Sequence, residues 1–298
     1  MPGRIALVTP SFNQARFLEG TLASVHDQRY PGLEHVVVDG GSTDGSVAIL
    51  EAWADRLAWW TTGKDGGQYD AINRGFARTS GEIMGWLNAD DRHLPWTLAL
   101  VAELFERFPQ VEWLTTQYPV IFDEAGRAVQ CGYGGGFNAE AFRRGANLPG
   151  RGWFATGFVQ QESTFWRRSL WDKAGGRVEA SLTLAGDFEL WCRFFDHAPL
   201  YGVASPIAGF LRHGEQKTAT RFEAYLDEAE AVLRRRGLRP CGPVESALRR
   251  SVWTCFGGRP LVRMPRVPAR LLQAMRVIRP APVCLWKGSW RTAVDYVV

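Results

Sequence analysis

The sequence has no run of about 18 or more apolar residues, so nothing in it reads as a membrane-spanning helix. Its five cysteines (Cys131, Cys192, Cys241, Cys255 and Cys284) are odd in number and form no CxxC pair. That usage argues for reduced thiols in a cytosolic protein and against a zinc site. Neither GxGxxG nor GxxxxGK[ST] occurs, which lowers the dinucleotide and P-loop readings. There is no internal repeat and no low-complexity block. An apolar strand pattern begins at Arg4, which is expected to leave no room for a signal peptide.

What is present is an ordinary soluble composition, 46% hydrophobic and 22% charged over 298 residues. That length suffices for one large α/β domain, or a domain with an extension. The net charge of +4 hides an asymmetry. Residues 238–298 hold eleven Lys and Arg against Glu245 and Asp295, a net of +9, so the body carries −5. The division expected is a catalytic domain over 1–237 and a basic, tryptophan-containing extension over 238–298.

Along the body, strand-like and helix-like patterns alternate. Arg4 to Thr9, Leu33 to Val38, Leu57 to Thr61 and Gly81 to Asn88 read as strands. Between them, Phe17, Leu18, Thr21, Leu22 and Val25 recur at helical spacing, Val47, Leu50 and Ala54 follow a cap at Asp44, and Gln68 to Thr79 reads as a helix. This order predicts a doubly wound, mainly parallel sheet flanked by helices. After a helix over Trp96 to Phe108 the texture changes. Strands are expected from Trp113 to Gln130 around a turn at Glu124 to Arg127, and a long loop from Gly132 to Gly152. Val159 to Trp166 reads as a strand, then come a helix from Gly186, strands over Leu200 to Leu211, and a charged helix from Gln216 to about Arg236.

In such a sheet the carboxyl ends of the strands converge on one crevice. They carry Thr9-Pro10-Ser11-Phe12-Asn13, Asp39-Gly40-Gly41-Ser42 and Asn88-Ala89-Asp90-Asp91. Adjacent carboxylates at a strand end are costly unless something positive sits between them, and a divalent cation holding a diphosphate suits. The bland alternative is that Asp90 and Asp91 start a loop and cap the helix after Pro95. Asp39 is an acceptor suited to a base imide, although Asp39 to Ser46 also reads as a glycine turn with a helix cap. Asp187 heads a helix whose apolar members are Leu190, Trp191, Phe194 and Phe195, so its carboxylate lies on the inward stripe. It is either an N-cap or a general base facing a cleft.

Six segments in order resemble family 2 glycosyltransferases with the GT-A fold. They are Thr9 to Gln14, Val37 to Ser46, Asp65 to Gly75 (with Gly67 and Asp70), Leu87 to Asp91, Gln161 to Arg168, and Gly186 to Trp191. The resemblance covers about residues 4–220. It implies a nucleotide-sugar donor bound by Thr9, Pro10, Asn13, Asp39, Gly67, Asp70, Asn88, Ala89 and Asp90. His213 and Lys217 resemble the late segment that closes over the diphosphate. Asp90 would hold Mg²⁺ or Mn²⁺ with Asp91 beside it, and Asn88 stands where the DXD motif begins with Asp. Asp187 would be the catalytic base of a single, inverting displacement onto a hydroxyl of a glycan or lipid-linked glycan. UDP-sugars are favoured as donors. A nucleotidyltransferase would usually want a glycine- and lysine-rich loop after the first strand, which Pro10-Ser11-Phe12-Asn13 does not supply. A non-catalytic nucleotide-sugar-binding protein is opposed by intact Asp90 and Asp187. The tail, above all Arg263 to Arg279, has the mixture expected of a helix on an anionic membrane surface; packing on the body and dimer contact are the alternatives. No nucleic-acid recognition motif is present.

Overall fold

Ile5, Ala6, Leu7 and Val8 are fully buried, which requires a strand covered on both faces. A computed structural model supplies that setting. It describes residues 3–148, 157–214, 216, 220–242, 244–245, 247–248, 251 and 279–297. β1 (Ile5–Ser11) lies between β2 (Leu33–Asp39) and β4 (Ile83–Trp86), parallel to both. Beyond β2 lies β3 (Trp59–Thr62). On the other side follow β9 (Phe165–Arg167), β6 (Trp113–Thr116) and β10 (Tyr201–Val203), then β12 (Arg279–Trp286) and β13 (Trp290–Val297). The result is a nine-stranded sheet in which five of eight pairings are parallel.

Side chains alternate across this sheet with period two. Ala6, Val8, Val36, Val38, Met84 and Trp86 face one core, against α3 (Gln68–Phe76), α5 (Ala139–Arg143), α6 (Arg168–Lys173), α7 (Gly186–His197) and α8 (Phe222–Arg235). Ile5, Leu7 and Ile83 face the opposite core with α4 (Thr97–Arg107). Val37 meets Leu18 and Leu22 of α1 (Ala15–His26) and Leu50 of α2 (Ser46–Trp53). A smaller sheet orders β5 (Arg92–His93), β11 (Ala208–Leu211), β7 (Val120–Phe122) and β8 (Ala128–Cys131). The turn between β7 and β8 is the one expected at Glu124 to Arg127.

Three expectations change. Val159 to Trp166 is not one strand: Gln161–Ser163 is a 3₁₀ turn before β9. The side chains explain it, since Gln161 Nε2 donates to the Trp86 carbonyl and Thr164 Oγ1 to the Gln160 carbonyl, diverting the backbone from a ladder. Within the expected loop from Gly132, α5 forms because Asn138 Oδ1 caps Glu140 and Ala141. The extension ends not in a helix but in the β12–β13 hairpin, which continues the main sheet. Residues 263–278, the stretch read as a surface helix up to Arg279, lie outside the described residues. Pro280 and Pro282 disguise β12. Like Cys284, whose carbonyl accepts from Ala204, they face the β10 side, but β10 pairs only at Val283 and Cys284, so the missing N–H groups leave no ladder bond unmade. No helix among the described residues is long and apolar enough to cross a membrane.

Candidate active site

Pro10 repeats that arrangement at the site itself. β4 pairs with β1 only as far as Val8, whose carbonyl accepts from Leu87, so the β4 side of β1 is open at Pro10. The chain leaves the sheet through Phe12, 59% exposed, and Asn13, whose φ of 52° is left-handed. Asn13 locks two loops together: its Oδ1 accepts from Thr43 N at 2.9 Å and its N–H donates to Ser42 Oγ at 2.7 Å. Asp44 accepts from Ala15 N and Ser46 N, so one carboxylate satisfies the first turns of both α1 and α2.

Asp39 is fully buried. Its Oδ2 accepts from Gly41 N, Ser42 N and Thr62 Oγ1, and its Oδ1 from Ser42 Oγ. The structure thus shows Asp39 bracing its own turn, and a base reaching it would have to share Oδ1. Thr9 departs from expectation. Its hydroxyl pairs with His35 Nε2 at 2.9 Å, and His35 in turn with His26, so Thr9 is buried beneath the crevice rather than lining it. In the third loop, Gly67 has φ 104° and donates to Asp65 Oδ1, while Asp70 Oδ2 accepts from Gly66 N at 3.0 Å. A Cβ on Gly40 would stand 3.2 Å from both Asp65 Oδ2 and Phe12 Cδ2, so three loops meet there.

The segment after β4 separates its residues sharply. Asp90 is partly exposed, and its Oδ2 lies 3.0 Å from Nε2 of the buried His213, which follows β11 of the smaller sheet. Ala89 is buried, its carbonyl 2.8 Å from Thr21 Oγ1. Asn88 Oδ1 accepts from Gln68 Nε2, and Asn88 Nδ2 donates to Gln161 Oε1 and Asp91 Oδ2. Asp91 is a correction to the expected metal pair. It is 1% exposed, and its Oδ1 turns inward to accept from Leu211 N. Burial foremost, then Asp90 and Glu162, push its pKa well above the carboxylate range. Lys217 lies outside the described residues.

Asp187 stands at the start of α7 and does not cap it in the usual way. Glu228 of α8 accepts from Thr183, Leu184 and Ala185 N–H, and Tyr69 Oη accepts from Gly186 N. The helix entrance is therefore satisfied from elsewhere. Asp187 Oδ1 accepts from Phe188 N, at 2.7 Å. Its pKa is raised to about 6, chiefly by burial, with Glu228 adding to it and backbone N–H groups opposing. The expected apolar stripe holds, as Leu190, Trp191, Phe194 and Phe195 are all buried, and Glu189 pairs with Arg193.

The geometry therefore offers a divalent cation one partly exposed carboxylate and one imidazole. Among the described residues, no group of three or more His, Cys, Asp or Glu side chains is placed to hold a metal. Such a pair fits a cation that takes its remaining ligands from phosphates and water.

Residues 6–152 match the family model described as Glycosyl transferase family 2. This segment belongs to that family. An uncharacterized glycosyltransferase of Mycobacterium tuberculosis is 44% identical over 89 residues, 30% of this chain and 34% of that protein. The putative teichuronic acid biosynthesis glycosyltransferase TuaG of Bacillus subtilis is 32% identical over 91 residues, 30% of this chain and 36% of the relative. The matches thus span about a third of these relatives' lengths. The mannosyltransferase PcManGT from Pyrobaculum calidifontis, solved with GDP-Man and Mn²⁺, superposes with a TM-score of 0.57 at 19% identity. It covers 93% of this chain and 81% of its own, a likeness of fold.

Within this glycosyl transferase domain and the segment that follows it, several residues escape sequence reading. Gln68 and Gln161 form the amide clamp on Asn88, and Tyr69 and Glu228 hold the α7 entrance. Polar side chains whose role is to bond a distant backbone leave no local pattern. Phe12 does carry a signal in the sequence, an aromatic directly after a strand end facing the crevice. Glu162 carries another, an acid inside an otherwise apolar stretch.

Proposed function

We propose that this chain transfers a glycosyl group from a nucleoside diphosphate sugar to a hydroxyl acceptor, with inversion at the anomeric carbon. What supports the proposal is that Asp90, after the carboxyl end of β4, pairs with His213, while Asp187 heads α7, whose entrance is held by Tyr69 of α3, the helix after β3. A cation bound by Asp90 and His213 would offset charge on the departing diphosphate. Phe12 offers its exposed ring to a base, and the Gly40–Ser42 turn lets backbone approach the nucleoside. Asp187 takes the acceptor's proton as the new bond forms. Its raised pKa of about 6 makes it a better base than an ordinary aspartate while leaving it mostly ionised near pH 7. One displacement, with no enzyme nucleophile, inverts the centre.

The proposed acceptor class draws on the name of one relative. Teichuronic acid biosynthesis in TuaG supports a role in assembling cell-surface polysaccharide on a glycan or lipid-linked glycan. An anionic membrane surface is the proposed setting, supported by Trp286, 59% exposed at the β12–β13 tip beside exposed Lys287. The deciding experiment is a thermal-shift screen of UDP- and GDP-sugars with Mn²⁺ or Mg²⁺ and with EDTA, followed by transfer assays on the donor that stabilises. Absence of stabilisation by every nucleotide sugar would overturn the proposal. Sedimentation with anionic vesicles, reversed by salt, checks the membrane setting.

A further inference from the structure

We infer that Glu162 hydrogen-bonds a hydroxyl of the transferred sugar and so sets which sugar the site accepts. The inference rests on the nucleotide-sugar reading above. Glu162 occupies the middle of the Gln161–Ser163 turn, which is pinned on both sides. Gln161 bonds Asn88 and the Trp86 carbonyl, and Ser163 Oγ accepts from Ala208 N in β11. The side chain is 4% exposed, and its Oε1 is sealed from solvent with no hydrogen-bond partner. The ring nitrogens of the nearby His93, also buried, have no hydrogen-bond partner either. Among the described residues, no ion pair reaches it. The acids that sense it are Asp91, beside the diphosphate end, and Asp187, at the proposed base end. On the nucleotide-sugar reading the transferred sugar would lie between those two ends.

A buried oxygen without a partner is costly, and a structure keeps one where something else completes it. The chemistry of the completing group follows from the surroundings. An anion at this carboxyl would face Asp187, mostly ionised near pH 7, so a neutral partner fits better. Burial, with Asp187 adding to it, raises the pKa of Glu162 to about 7, so near neutrality it has both an O–H to give and an oxygen to receive. A sugar hydroxyl also gives and receives from one oxygen, which matches.

The test compares binding of a nucleoside diphosphate with binding of its nucleotide sugar, by calorimetry, in the wild type, Glu162→Gln and Glu162→Ala. Glu162→Ala should weaken the nucleotide sugar by about five- to fiftyfold while leaving the free diphosphate within twofold. Glu162→Gln, which keeps one donor and one acceptor, should retain most of the affinity and reorder preference among deoxy-sugar donors. A donor lacking the recognised hydroxyl should not notice either substitution. Equal losses for diphosphate and nucleotide sugar would overturn the inference and make Glu162 a prop for the Asn88 clamp. Unchanged binding of both would overturn it as well. Should Glu162→Ala fail to fold, the donor ranking of Glu162→Gln decides alone. If the wild type binds the diphosphate and its nucleotide sugar not at all, the nucleotide-sugar reading falls first and Glu162 with it.

Discussion

Replacing Asp187 by asparagine should slow transfer by roughly a hundredfold or more while making the protein more stable at neutral pH. The carboxyl pKa is raised from the ordinary 3.8 to about 6, mainly by burial. At about 1.4 kcal/mol per unit, ionised Asp187 costs the fold at most about 3 kcal/mol, and about 1–2 kcal/mol once its partial exposure is allowed for. Asparagine keeps the oxygen that accepts from Phe188 N and carries no charge. The expected gain in Tm is about 2–5 °C at pH 7.5. The sign sets its pH dependence. The folded pKa lies above the unfolded one, so the native state binds more protons between about pH 4 and 6, and wild-type stability falls as pH rises through that window. The gap between variant and wild type should open across it and stay level above. Calorimetric scans from pH 4.5 to 8 measure this, alongside wild-type turnover, which should rise through about pH 6. A Tm unchanged or lowered at pH 7.5, or turnover within about threefold of wild type, would refute the base assignment.

Asp90→Ala should abolish transfer and the metal-dependent part of donor binding while leaving Tm nearly unchanged; equal wild-type donor affinity with EDTA and with Mn²⁺ would contradict the metal assignment. Asn88→Asp looks harmless from the motif, but it replaces the amide that donates to Asp91 and Gln161 with an acceptor-only group. It should cost about 1–3 kcal/mol, read as a lowered Tm, and a Tm equal to wild type would show the clamp to be dispensable. Phe12→Ala removes a ring that is 59% exposed, so Tm should hold while nucleotide affinity falls about two- to tenfold. Unchanged affinity would remove Phe12 from the base site.

The sheet was legible where apolar period and turn chemistry agreed. Leu33 to Val38 and the helix carrying Phe17, Leu18 and Leu22 stand where the spacing put them. The ends misled where side chains satisfy backbone. Gly81 to Asn88 shortens to Ile83–Trp86 because Asn88 is held by two glutamines from elsewhere in the chain. The β12 strand was hidden by prolines whose missing donors matter only relative to where β10 stops, and no sequence window contains that information. At the site, residue types were legible and their directions were not. Asp90 and Asp91 are indistinguishable in sequence, yet one turns to His213 and the other to the Leu211 backbone.

That difference in direction bears on why the acids are tolerated. Asp91, Glu162 and Asp187 all have raised pKa values, and burial is the largest cause in each. Three carboxylates are lowered: Asp123 by its bonds with Arg127, Glu179 by Ser181, and Asp44, against its partial burial, by hydrogen bonds from Ala15 and Ser46. A fold choosing its residues for stability alone would place the buried acids against cations or replace them. Here the hydrogen bonds of the helix entrance are supplied from elsewhere: Tyr69 and Glu228 complete it, and Asp187 accepts from the Phe188 N–H beside it. Capping by Asp187 itself would tie both oxygens to the helix and lower its pKa. Supplying the cap from α8 and α3 keeps one oxygen uncommitted and the group basic, as proton removal from an acceptor hydroxyl requires.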